Sequence, residues 1–116
     1  MKENVIVDKS FQFAVKIVKL SQYLVNEKKE YVISKQVLKS GTSIGANIEE
    51  AEGGFSKKDF IAKMNIAYKE GRETKYWLRL LMETGFIDQA RYYLLINDCE
   101  EVIRILYQII NTSKQN

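Results

Sequence analysis

A chain of 116 residues, 46% hydrophobic and 28% charged, is long enough for one domain with its own core, and no stretch nears the roughly 18 apolar residues of a membrane span. The absence of histidine and the lone Cys99 exclude the usual zinc site, the commonest general base and an internal disulfide, and they lead us to expect a cytosolic protein. The net charge of +3 is too mild to imply nucleic acid on its own.

Proline is absent as well, which suits long uninterrupted helices because proline removes a helical N–H and clashes with the preceding turn. The start, Met1-Lys2-Glu3-Asn4, lacks the apolar run and cleavage site of a secretory signal. Breaks in the apolar rhythm divide one all-α domain over residues 1–116 into four helices, expected at 9–27, 32–52, 57–84 and 88–112.

The first helix carries two apolar arcs: Phe11, Ala14, Val15, Val18 and Val25, and beside them Phe13, Ile17, Leu20 and Leu24. Lys9, Gln12, Lys16, Lys19 and Tyr23 fill the narrow polar sector that is left. A helix buried only inside its own bundle needs a single stripe, so the surplus predicts self-association. Asn26-Glu27-Lys28-Lys29-Glu30 ends this helix without a glycine.

The second helix sets Gly41, Ser43, Gly45 and Ala46 around Ile44 and Ile48. Glycine inside a helix costs about 1 kcal/mol against alanine, a cost that close approach of another backbone would justify. The third helix offers Ala67, Gly71 and Thr74 between larger apolar residues, so the tight contact is expected between helices two and three. Gly53-Gly54 is read as a left-handed stop, and Ser56 with Asp59 three residues on as the capping signature of helix three.

Helix three bears the most informative polar pattern. Lys58, Asn65, Lys69, Arg72, Tyr76 and Arg79 fall within an arc of about 80° at helical spacing. Cations among amides and tyrosines suit phosphate contact and stacking on unpaired bases. We therefore take Lys9, Lys16, Lys19, Lys69, Arg72 and Arg79 as candidate phosphate contacts, with Tyr23 and Tyr76 as candidate stackers. The charge is clustered accordingly: +4 over residues 1–40, −3 over 41–55, +3 over 56–84 and −1 over 85–116. Glu70 and Glu73, with Trp77 beyond, admit a sharper reading as a carboxylate pair for acid–base work or a divalent metal, with Glu49 or Glu50 contributing from helix two. Dimetal bundle sites pair glutamate with Glu-x-x-His, and histidine is lacking, so Asn47, mid-helix on helix two, Glu70 and Glu73 are assigned to a structural polar network, with Arg72 or Lys69 as its cation. Neither a cofactor nor a catalytic residue is expected.

Thr84-Gly85 ends helix three, and Asp88 caps helix four with Ile87 before it. Here too two stripes run side by side: Tyr93, Ile96, Ile103, Tyr107 and Ile110, and Leu95, Cys99, Val102, Leu106 and Ile109. Cys99 within the second stripe reads as a small buried hydrophobe. No phosphate-binding loop, dinucleotide fingerprint or nucleophile elbow is present.

The run Ser40-Gly41-Thr42-Ser43-Ile44-Gly45-Ala46-Asn47-Ile48-Glu49-Glu50-Ala51, then Ser56-Lys57-Lys58-Asp59-Phe60, then Lys69-Glu70 through Glu73 to Tyr76-Trp77-Leu78, resembles the bacterial four-helix-bundle family associated with 23S ribosomal RNA intervening sequences, once labelled S23 ribosomal protein. The resemblance spans about residues 8–110 and implies an antiparallel up-down bundle assembled as a ring-like homo-oligomer, typically a pentamer. It implies 23S rRNA or another nucleic acid as partner; together with the lone cysteine and the lack of catalytic motifs, the expectation is a cytoplasmic, non-enzymatic RNA-binding protein. A related branch serves diversity-generating retroelements and binds nucleic acid and a reverse transcriptase. The rival expectation is therefore a scaffold that recruits another protein, such as a polymerase.

Overall fold

The computed structural model describes residues 2–115. Four α-helices account for nearly all of them: α1 Lys2–Asn26, α2 Ile33–Glu52, α3 Lys57–Glu83 and α4 Gln89–Gln115, with no strand among the described residues. A helix of 27 residues is about 40 Å long at 1.5 Å per residue. The molecule measures 46 × 21 × 19 Å, so the helices share one long axis.

Each helix packs on the next, and α1 packs on α4; the diagonal pairs α1/α3 and α2/α4 do not approach closely. Ile6, Phe13, Ile17 and Leu24 of α1, Ile44 and Ile48 of α2, Met64 and Leu78 of α3 and Leu106 of α4 form one continuous buried core. Full burial of each such side chain is worth about 1.5–3 kcal/mol. Tertiary burial of this size outweighs the modest helix propensity of the β-branched residues in α1.

The ends of the helices follow local chemistry. At the start of α3 the Asp59 N–H donates to Ser56 Oγ at 3.1 Å, and at the start of α4 the Arg91 N–H donates to Asp88 Oδ1 at 2.8 Å. Helix α3 stops where Gly85 turns to φ +84°, with the Gly85 N–H bonded to Met82 O at 3.0 Å and the Phe86 N–H to Leu81 O at 2.9 Å. That pair of bonds is a Schellman closure.

Three expectations are corrected. Helix α1 begins at Lys2, not at residue 9, because Ile6 continues the buried row of Phe13 and Ile17; α4 likewise runs on to Gln115, past the expected 112. Gly53 is not left-handed but lies at φ −92°; the left-handed positions among the described residues are Gly85 and Lys29, the latter at φ 55° in the α1–α2 turn. Helices α2 and α3 do pack closely, as expected, but the helical glycines of α2 make room for α1 rather than α3. A Cβ on Gly41 would lie 2.8 Å from Ile17, and one on Gly45 would lie 3.5 Å from Ser10. Gly71 of α3 in turn accommodates Ile103 of α4. Ser40, the neighbour of Gly41, faces α3 instead, where Thr74 Oγ1 lies 2.9 Å from Ser40 Oγ.

One device had no sequence signature in our reading. The Glu30 carboxylate accepts from the N–H groups of Val32, Ile33 and Ser34 at 3.2, 3.1 and 2.7 Å. It satisfies the free donors at the start of α2 and places negative charge at the positive end of the helix dipole.

Candidate nucleic-acid interface

The buried row of α3, Met64, Ala67, Gly71, Thr74, Leu78 and Leu81, fixes which side of that helix meets solvent. Lys69, Arg72, Tyr76 and Arg79 fall opposite it and are all exposed. None of the three cations has an ion-pair partner among the described residues. Tyr76 is 60% exposed and rests edge-on against Trp77, ring centroids 5.0 Å apart. The Trp77 indole is held in turn by its Nε1–H, which donates to Glu73 Oε2 at 3.0 Å. The face thus offers three free cations around one supported, accessible aromatic ring.

The basic sector of α1 is placed differently. It lies along the seam with α4, where Lys9 Nζ sits 3.1 Å from Glu101 Oε1 and Lys16 is paired with Asp98. Exposed ion pairs add little stability, about 0–1 kcal/mol, but they neutralise each other's field. Lys19 is exposed without such a partner among the described residues. One face of the Tyr23 ring is covered by Arg91, whose guanidinium carbon stands 3.8 Å from the ring centroid. Sequence reasoning missed Arg91, since only the fold brings residues 23 and 91 together. It missed for the same reason that α4 supplies acids to the lysines of α1.

Of the polar residues assigned to structure, Asn47 is on α2, Glu70 on α3 meets Ser43 and Lys39 of α2, and Glu73 is exposed on α3. Asn47 bonds within its own helix, its Nδ2 donating to Ser43 O at 2.8 Å, which explains how asparagine is accommodated mid-helix. Glu70 is half-buried; burial, and then the neighbouring Glu73 carboxylate, push its carboxyl above the ordinary value of 4.5, partly offset by the Ser43 hydroxyl and Lys39. Lys69 and Arg72 take no part, because they point to the solvent side. Among the described residues no group of three His, Cys, Asp or Glu side chains is placed to hold a metal ion. Cys99 is fully buried, its Sγ 3.5 Å from Gly71 O, and burial pushes its thiol up to about 12, which removes it from nucleophilic chemistry.

The two arcs of α1 part company. Phe13, Ile17, Leu20 and Leu24 are in the core, whereas Phe11, Val15 and Val18 are exposed, Phe11 by 63%. Beside Phe11 an apolar groove of about 250 Å³ runs between α1 and α2, floored by Ala14, Gly45 and Ala46. On α4 most of the surplus is covered within the fold: Ile96 and Ile110 are buried and Ile103 packs on Gly71. Tyr93 and Tyr107 remain exposed.

No described helix is long and apolar enough to cross a membrane. No curated protein matches the chain. Among solved structures it is similar to a protein of unknown function from the S23 ribosomal protein family of Bacteroides thetaiotaomicron, with 56% identity over 96% of this chain and 99% of that one and a TM-score of 0.95. The family model for the 23S rRNA-intervening sequence protein matches residues 2–108. The chain therefore belongs to the 23S rRNA-intervening sequence protein family.

Proposed function

We propose that this chain is a non-enzymatic RNA-binding protein, with 23S rRNA as the RNA its family points to, acting in the cytoplasm as a ring-like homo-oligomer. The observation that carries the reading is the outer face of α3, where Lys69, Arg72 and Arg79 stand without anionic partners around the exposed Tyr76. Cations free of internal partners are the ones able to release counterions from a phosphate backbone. An exposed ring beside them gives a stacking surface for a base. Lys19 extends the set on α1, while Lys9 and Lys16 would have to leave Glu101 and Asp98 to join it.

Two further features support the antiparallel bundle and its assembly. The pairs Lys9–Glu101 and Lys16–Asp98 advance along α1 while receding along α4, as in an antiparallel up-down bundle. The exposed stripe of Phe11, Val15 and Val18 beside the α1–α2 groove is apolar surface suited to a second copy. Because α1 and α3 are diagonal, a subunit joined through α1 keeps its α3 face free, and repeated weak contacts then add through avidity. The same stripe favours a second reading, a scaffold that recruits another protein through apolar contact. Gel-shift of a labelled 23S rRNA fragment separates the two. The RNA reading predicts a complex that Arg72→Glu with Arg79→Glu weakens; no complex even at low salt would leave the scaffold.

A further inference from the structure

We propose that the groove between α1 and α4 at Tyr23 seats one unpaired nucleotide of the bound RNA, an inference that rests on the RNA-binding reading above. The groove has a volume of about 290 Å³, and its lining includes Lys16, Lys19, Tyr23, Arg91, Leu94 and Leu95, with no acid among the lining residues. That is room for a single base and its phosphate but not for a duplex. One wall is a ready-made platform, the Arg91 guanidinium lying 3.8 Å above the Tyr23 ring. A guanidinium seated on one ring can take a second ring on its other side, and Arg91 is exposed. Leu94, three residues on from Arg91 along α4, also lines the groove and is 73% exposed, apolar surface that an unstacked base would cover.

The charges fit the same occupant. Lys16 holds Asp98 at the rim, which leaves Lys19 and Arg91 as the cations able to meet a phosphate. Asp88, one turn below, is engaged at the helix cap by the Arg91 N–H. The outer face of α3 belongs to the helix diagonal to α1, so the groove is separate from that backbone-binding face. One surface then holds phosphates whatever the sequence, while the other distinguishes unpaired from paired RNA.

The test compares the affinity of wild type, Arg91→Lys and Arg72→Glu for two labelled RNAs at one salt concentration: a blunt duplex, and the same duplex with one unpaired adenosine. Wild type should favour the bulged RNA about tenfold, within the range of one stacked base. Arg91→Lys keeps the charge but loses the plane, so it should erase the preference while duplex affinity holds. Arg72→Glu should weaken both RNAs alike. Equal wild-type affinity for the two RNAs, a preference that survives Arg91→Lys, or displacement of the adenosine by an acidic peptide that itself needs Arg91, would each overturn the inference while the RNA-binding reading stands. Failure of wild type to bind either RNA would instead remove that reading, and this one with it.

Discussion

Gly41 lies directly beneath Ile17, where a Cβ on the glycine would approach two Ile17 carbons to 2.8 Å. Isoleucine is stiff at χ1 on a helix and Ile17 is fully buried, so neither partner can move aside cheaply. Gly41→Ala should therefore destabilise the fold by about 1–2 kcal/mol, overpacking of about 1–3 kcal/mol being offset in part by the better helix propensity of alanine. Gly45→Ala is the internal contrast. Its nearest neighbour would be at an ordinary 3.5 Å, so propensity wins and stability should rise by about 0.5–1 kcal/mol. Urea midpoints of the two variants check both signs.

The α2–α3 seam is held at its middle by Thr74 and Ser40, both buried, with their hydroxyl oxygens 2.9 Å apart. Thr74 Oγ1 also lies 2.8 Å from Glu70 O, so its single proton is contested. Thr74→Val leaves Ser40 with only the 3.4 Å bond to Val37 O and should cost about 1–2 kcal/mol. Adding Ser40→Ala removes the orphaned group and should recover part of that loss. A double-mutant cycle with no coupling would show that the hydroxyls merely sit side by side.

Glu70 gives the protein a predictable pH response. Its folded pKa lies above 4.5, so across the window just above that value the folded state holds more proton than the unfolded one, and stability falls as pH rises. The contribution is intact below 4.5 and is lost as pH climbs through the folded value. Glu70→Gln should raise Tm at neutral pH and change it little at pH 4, a difference that thermal melts at the two pH values will read.

Phe11, Val15 and Val18 bear on assembly. Phe11→Glu with Val18→Glu removes exposed apolar surface without touching the core, so the variant should stay folded. Light scattering should find wild type at a multiple of 13.5 kDa and the variant at or near the monomer mass. A wild-type monomer would contradict the ring.

What was legible in the sequence was mostly local. Ser56, Asp88 and Gly85 act on residues within a turn of themselves, and apolar spacing picked out Phe13, Ile17 and Leu24 as one row. The start of α1 was hidden because Val5-Ile6-Val7 is a continuous apolar run without helical spacing, and only the fold shows that Ile6 reaches the core. The α1–α2 break was legible at Asn26–Glu30, but its geometry was not, because a lysine, Lys29, takes the left-handed position that usually signals glycine. Of the candidate interface, the α3 face was readable because one helix presents it whole. The state of Lys9, Lys16 and Tyr23 was not, since Glu101, Asp98 and Arg91 reach them only through packing between the first and last helices.

The central claim is that the free cations of α3 hold an RNA backbone, and the salt dependence of binding tests it most directly. With a labelled 23S rRNA fragment, log affinity against log salt should be steep, each phosphate contact adding about 0.7–0.9 to the slope. Arg72→Glu with Arg79→Glu should flatten that line as well as weaken binding. A wild-type affinity indifferent to salt, or a slope unchanged in the variant, would contradict the account.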